Sequence, residues 1–234
     1  MRIAKGIIAT DLFLYLESHK TFIISDIHVG YEESLQRRGA FLPKGNVSEL
    51  RIRIEKAMSG KEVERVILNG DLLHDFGRVL KKERAELNAF LVFLEKKAEV
   101  IIIRGNHDKV LSYILPDMKV IPDFVIGDIL VTHGDMISSH TDDKKIKTII
   151  IGHEHPSITL DSGLRQERYK CFLKGKYKGK KLIVMPSCNL LLEGADVMRE
   201  KLLSPYLSDI SDFEAYITED KIYDFGKLRK LKKI

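Results

Sequence analysis

Asp26 and His28 stand two positions apart at the end of the apolar run Thr21-Phe22-Ile23-Ile24, within the stretch SDIHVG. The same arrangement recurs along the chain. RVILNGD ends on Asp71, EVIIIRGNHD on Asn106, His107 and Asp108, ILVTHGD carries His133, and KTIIIGHEH carries His153 and His155. Each shows an apolar run, a small or glycine-assisted turn, and then Asp, Asn or His. A lone Gly-Asp or a lone histidine after a strand is ordinary turn chemistry, but five in succession are not explained that way. Five of the eight histidines fall on these tips. In open α/β sheets the loops beyond the carboxyl ends of strands converge on a ligand, so five polar tips are expected to meet at one place.

The residue types define the chemistry. Imidazole and carboxylate without thiolate suit divalent Mn, Fe, Ni or Zn, and the set is too rich in histidine for magnesium alone. Asp26 and His28, like His153 and His155, are spaced i, i+2, so in extended backbone each pair projects to one side and closes on one centre. Asp26, His28, Asp71, Asn106, His133, His153 and His155 make seven candidate ligands, too many for one open catalytic ion. Two ions roughly 3.5–4 Å apart, sharing one carboxylate, would use them all and leave room for water and substrate.

The elements that must position these residues read as follows. Short runs rich in Ile and Val alternate with helical patterns in the first half: Asn46 to Met58, with Asn46 and Glu49 spaced as N-cap and N3, and about Leu80 to Ala98, with Leu87, Phe90, Leu91 and Leu94 on one face. Alternating strand and helix implies parallel strands with crossover helices. After Val120 the strands come closer together, with little helical pattern between most of them, and predict a second, partly antiparallel sheet. At 234 residues and 44% hydrophobic content, with no repeat or linker, the chain is expected to fold as one domain over residues 1–234 with two packed sheets. No apolar stretch approaches the roughly 18 residues of a membrane span. Cys171 and Cys188 lack CxxC spacing and read as ordinary thiols, so the cytoplasm is the expected compartment.

The net charge of +5 is unevenly placed. Residues 165–181 hold eight Lys/Arg against Glu167 alone, residues 226–234 hold five against none, and the rest of the chain is net negative. A footprint for nucleic acid and a solvated hairpin with a frayed tail both account for these runs.

The ordered set DxH, GD, GNHD, THGD and GHEH over residues 21–156 resembles the signature of the calcineurin-like metallophosphoesterases. The resemblance implies a four-layer αββα sandwich of two mixed β-sheets flanked by helices. It implies that Asp26, His28, Asp71 and His155 hold a first metal, and that Asp71, Asn106, His133 and His153 hold a second, with Asp71 as the bridge and Mn²⁺ the leading candidate. VGYEESLQRRGAFLP, GDLLHDF, and RYKCFL followed by LIVMPSCNLLLEGADV are similar to the DNA ligase-associated phosphodiesterases and their archaeal relatives, from which the insertion KGKYKGKK departs. The expected activity is hydrolysis of nucleotide or nucleic-acid phosphodiesters, including 2′,3′-cyclic phosphates, by a water activated between the two cations. His107 is assigned the leaving-group side, with Asp108 fixing its ring or capping the following helix. His74, Arg37, Arg38 and Tyr31 are candidates for substrate contact. The alternatives are an SbcD-type DNA nuclease, whose GDLFH is close to GDLLH here, and a catalytically silent scaffold of the same fold.

Overall fold

The computed structural model describes residues 1–41, 45–74, 79–161 and 165–231. In the first part, three antiparallel strands, β1 (Arg2–Ala4), β2 (Ile7–Thr10) and β3 (Phe13–Leu16), precede β4 (Thr21–Ser25). Then follow α1 (Tyr31–Arg37), α2 (Asn46–Met58), β5 (Arg65–Asn69), α3 (Lys81–Glu95), β6 (Glu99–Ile103), α4 (Leu111–Ile114) and β7 (Val120–Ile121). These strands form one sheet in sequence order, in which β4, β5, β6 and β7 are parallel as the strand–helix alternation requires. The antiparallel β1–β3 meander was not expected from that alternation. It extends the sheet beyond β4 and covers an edge that would otherwise be open.

The remaining chain supplies β8 (Asp123–Ile126), β9 (Ile129–Thr132), β10 (Thr148–Ile151), β11 (Pro156–Asp161), β12 (Gln166–Tyr177), β13 (Lys180–Val184), β14 (Ala195–Asp196), β15 (Glu214–Thr218), β16 (Ile222–Lys227) and α5 (Leu228–Leu231). β9, β10 and β13 are parallel and the other pairings are mostly antiparallel, so this sheet is mixed. The long β12 pairs with β11 through its first half and with β13 and β15 through its second.

Period-2 alternation distributes each strand between two cores. Ile23, Ile67 and Ile103 of the first sheet meet Val131, Ile150, Phe172 and Ile183 of the second in a dry layer between them. Phe22, Ile24, Val66 and Leu68 point the other way, onto Leu50 and Ile54 of α2 and Leu87, Phe90 and Leu94 of α3. The outer face of the second sheet is covered by Tyr206, Leu207, Ile210 and Phe213 from an irregular segment and Leu228 of α5. Two mixed sheets flanked by helices are thus the architecture, with a fourth layer that is mostly non-helical.

The N-cap of α2 is Gly45, at φ 123°, and not Asn46. The Glu32 carboxylate of α1 accepts from the Gly45 and Asn46 amides, satisfying part of the unpaired first turn. That leaves Asn46 Oδ1 to accept from Leu190 N. Among the described residues no helix is long and apolar enough to cross a membrane.

Candidate metal centre

Because β4, β5 and β6 are parallel and in register, Ser25, Asn69 and Ile103 lie in one row, and the loops that follow leave the same edge of the sheet. β9 and β10 deliver His133 and the His153–His155 segment from the facing sheet. Asp26, His28, Asp71 and His133 are buried, at 0, 3, 1 and 1% exposure, although each is polar or ionisable. Asn106, His107, His153 and His155 are half-buried.

The local backbone differs from the extended form expected of the i, i+2 pairs. Asp26 and His28 have φ of 55° and 50°, Asp71 48°, and His153 and His155 62° and 47°. Left-handed backbone at a non-glycine residue costs on the order of 1–3 kcal/mol and persists only where the surroundings over-determine it. In each pair the two left-handed residues flank one that is driven inward. Ile27 enters the helix-side core, and the buried Glu154 carboxylate accepts from the Leu203 and Ser204 amides. The pairs converge by curling around a buried residue, not by strand alternation.

The glycines of three motifs make this crowding physically feasible. A Cβ on Gly70 would lie 2.2 Å from His133 Nδ1, one on Gly105 2.1 Å from Asp71 Oδ1, and one on Gly152 2.4 Å from Asp26 Oδ2. Each glycine leaves the space that a candidate ligand from another loop fills.

Distances bring the set together. His155 Nε2 lies 3.2 Å from Asp26 Oδ1 and 3.3 Å from His28 Nε2, and His28 Nε2 lies 3.8 Å from Asp71 Oδ2. His133 Nε2 lies 3.4 Å from Asp71 Oδ2 and 3.1 Å from Asn106 Oδ1, and the His133 and His153 rings are 5.0 Å apart. Asp26, His28, Asp71 and His155 form one group with donor atoms all within 4.8 Å of one another, and Asp71, His133 and His153 form a second. Asp71 is common to both. His28 Nδ1 is buried with no hydrogen-bond partner among the described residues, so the protein does not commit that ring through its second nitrogen.

The electrostatics match a cation-binding set. Burial would raise the Asp26 carboxyl, but the neighbouring His155, His133 and His28 outweigh it and hold it below the carboxylate range. Asp71 is likewise lowered, chiefly by His133 against the effect of burial. Burial, reinforced by His155, lowers His28 to about 3, which keeps the imidazole neutral with a lone pair to offer. Burial works against charge on His133, yet its contact with Asp71 and the charge of Asp26 raise it to about 9.

Around this set lie the residues expected to meet substrate. His107 has its Nδ1 2.6 Å from the His74 carbonyl and its Nε2 3.9 Å from Asp71 Oδ2. His74 stacks on His107 at 6.0 Å and receives the edge of Tyr31 at 4.8 Å. Arg37 and Arg38 are exposed at the far end of α1, about 9 Å along the axis from Tyr31. Asp108 does not orient His107 through its ring nitrogens. Its buried carboxylate accepts from Gly105 N at 2.9 Å, Leu72 N at 2.9 Å and Leu73 N at 3.3 Å, binding the GNHD loop to the GD loop. Nor does its side chain cap α4, whose N-cap is Val110. Burial, with repulsion from Asp71, raises Asp108 to about 7. Sequence reasoning missed Ser25, whose hydroxyl donates to Asp26 Oδ2 at 2.5 Å, because nothing in its type or spacing sets it apart.

The basic hairpin lies at the other end of the sheet. Lys181 pairs with Thr148 at the start of β10, whereas the ligands follow Ile151 at its end. Part of its charge is also engaged: Lys178 pairs with Asp142 at 3.1 Å, Lys174 reaches Tyr216 Oη and the Ile3 carbonyl, and Lys180 donates to the Ile146 carbonyl. Of the basic C-terminal run, residues 232–234 fall outside the described residues. A cleft of about 740 Å³ lined by Ile158, Tyr169, Met198 and Phe225 contains none of the candidate ligands, so convergent donor atoms, and not cavity size, mark the site.

A family model described as calcineurin-like phosphoesterase matches residues 19–157. No curated protein matches the chain. Among solved structures, Pseudomonas putida nuclease MPE is similar with a TM-score of 0.64 at 18% identity over 92% of each chain, which shows a shared fold. Weaker likenesses are to Aquifex aeolicus AQ665 (TM-score 0.37, 20% identity, 58% of this chain and 78% of that one) and Chaetomium thermophilum Vps29 (0.38, 13%, 85% and 81%).

Proposed function

The chain belongs to the calcineurin-like phosphoesterase family and is a phosphoester-hydrolysing enzyme, and we propose that it is a two-metal phosphodiesterase acting on nucleotide or nucleic-acid phosphodiesters. The observation that carries this reading is the single buried carboxylate, Asp71, shared by two donor groups. Asp26, His28, Asp71 and His155 would hold one divalent cation, and Asp71, Asn106, His133 and His153 the other, with Mn²⁺ favoured by the mixed imidazole and carboxylate donors. Bound there, the pair would supply Lewis-acid activation of water and neutralise charge on the phosphoryl oxygens.

The chain's own groups account for the rest. Donation from His107 Nδ1–H to the His74 carbonyl fixes the ring, so Nε2 faces the cluster and, when protonated, can deliver its proton to the departing oxygen. Asp108 keeps Asn106 and His107 at a set distance from Asp71 by pinning both loops through backbone amides. His74 lies against His107 and Tyr31 against His74, and together they form the wall against which a leaving group would lie. The similarity to a nuclease supports a diester over a monoester substrate. The position of the basic hairpin favours small or single-stranded substrates engaged at the strand tips over a duplex tracked across the lysines. All seven candidate ligands are present, which disfavours a silent scaffold. The chain is read as one domain, and its two buried free thiols fit a reducing, cytoplasmic setting.

The test is hydrolysis of bis-p-nitrophenyl phosphate, p-nitrophenyl phosphate, 2′,3′-cyclic nucleotides and single-stranded DNA and RNA with Mn²⁺, Zn²⁺ or Mg²⁺ added to metal-free protein. Diester cleavage that requires metal and disappears in a folded Asp71→Asn variant is expected. Near-wild-type turnover in that variant at saturating Mn²⁺ would falsify the shared-carboxylate assignment.

A further inference from the structure

The left-handed backbone at Asp26 and His28 needs an external restraint, and the two faces of this loop obtain theirs from different sheets. The amides face the GD loop: Asp26 N donates to Gly70 O at 3.2 Å, His28 N to Asp71 O at 2.9 Å and Val29 N to Leu72 O at 2.8 Å. The carbonyls face the segment that follows β13 of the second sheet. Cys188 N donates to Ser25 O at 2.9 Å and Ser187 Oγ to Asp26 O at 2.7 Å. Asn189 Nδ2 donates to Ile27 O at 2.8 Å and His28 O at 3.3 Å. Four consecutive carbonyls are therefore held by three consecutive residues more than 160 positions away. Ser187 and Asn189 are 1% and 0% exposed, so water does not replace these donors.

The segment is itself anchored. Lys170 Nζ donates to the Ser187 carbonyl at 2.7 Å and to the Asn189 carbonyl, Asn189 Oδ1 accepts from Leu191 N, and Asn46 Oδ1 accepts from Leu190 N. Neither Ser187 nor Asn189 is among the candidate ligands or within the DxH, GD, GNHD, THGD and GHEH motifs, although both fall in the stretch LIVMPSCNLLLEGADV.

We infer that Ser187 and Asn189 are positioning residues for the metal centre, which hold Asp26 and His28 in the left-handed backbone that aims both side chains at one cation. The inference rests on the two-metal reading above. It gives the second sheet a further part in the reaction, beyond His133, His153 and His155: it restrains the loop that supplies ligands from the first sheet.

The experiment is titration calorimetry of Mn²⁺ into metal-free protein, without substrate, alongside circular dichroism and thermal melting. Ser187→Ala removes one hydroxyl from a buried site, and Asn189→Ser, read in the same way, covers the case in which the first variant does not fold. Loss of partners that orient metal ligands typically weakens metal binding by about 10–100-fold. The variants are expected to show that loss at the tighter site with unchanged secondary structure, and turnover on bis-p-nitrophenyl phosphate should recover as Mn²⁺ is raised. Ser187→Thr, which keeps the hydroxyl, should restore the wild-type binding constant. Cys171→Ala, whose side chain lies in the outer core of the second sheet, should lower the melting temperature and leave Mn²⁺ affinity alone. Wild-type Mn²⁺ affinity in folded Ser187→Ala and Asn189→Ser, or turnover that stays depressed at every Mn²⁺ concentration, overturns the positioning role. A wild-type protein that binds no Mn²⁺, Zn²⁺ or Mg²⁺ overturns the two-metal reading instead, and this inference with it.

Discussion

Gly105→Ala adds one methyl group to the motif GNHD and should remove most of the activity. The new Cβ would stand 2.1 Å from Asp71 Oδ1, 2.3 Å from Asp71 N and 2.9 Å from Asp71 Cγ. Ordinary contact distances begin at about 3.5 Å, so relief requires a separation of roughly 1 Å between the two loops. Neither loop can yield freely. Gly105 N is bonded to Asp108 Oδ2, Asp71 Oδ1 accepts from His107 N at 2.9 Å, and Asp71 O accepts from His28 N. Relief must break at least one of these, which costs on the order of 1–3 kcal/mol of stability, the usual range for overpacking. The effect on rate is larger. Asp71 belongs to both donor groups, and a displacement of about 1 Å in a reacting constellation costs on the order of 10²-fold or more, equivalent to about 2.7 kcal/mol in the barrier. The assay is initial-rate hydrolysis of bis-p-nitrophenyl phosphate at saturating Mn²⁺, paired with a thermal melt below which all rates are taken. Turnover within threefold of wild type and an unchanged melt would refute the idea that this close approach sets the position of Asp71.

Two further outcomes are expected. His107→Ala should retain metal binding and lose roughly 10²–10⁴-fold in turnover on nucleotide diesters, with a smaller loss for p-nitrophenolate esters, whose leaving group needs no proton; equal losses across leaving groups would count against proton donation. Lys170 is lowered by burial to about 8, whereas an unfolded lysine titrates near 10.4. Between these values the unfolded chain binds more protons than the folded one, so stability rises with pH through that window, and below pH 8 both states are protonated and the slope vanishes. Lys170→Met should abolish the rise, so wild-type stability relative to the variant grows by roughly 1–3 kcal/mol from pH 8 to 10.4. Urea melts at pH 7.5, 9 and 10 that give a constant difference would exclude this assignment.

Much of the site was legible in the sequence because its parts are local. Asp26, His28, Asp71, Asn106, His133 and His153 each lie within three residues of the end of a strand and His155 directly precedes β11, and strand ends are readable from apolar period and turn residues. Parallel register then does what spacing alone predicts and brings those tips to one edge. The parallel β4–β7 order and α3 follow from the same short-range pattern. The β1–β3 meander was harder to read, since its strands are three or four residues long and too short for a period to show.

What the tertiary structure alone decided concerns atoms that meet across long separations. Extended backbone was the local expectation for Asp26 and His28, and contacts from Gly70 to Leu72 on one side and Ser187 to Asn189 on the other impose left-handed backbone instead. The roles of Gly70, Gly105 and Gly152 are defined by side chains 34 to 127 positions away, which occupy the space a Cβ would need. Asp108 reads locally as a cap or a partner for His107, yet its carboxylate accepts from Gly105 N and, across 35 or more positions, from the Leu72 and Leu73 amides. Residue type and spacing record which groups a chain can offer, and only the packing of distant segments determines which buried donors and acceptors must pair once water has been excluded.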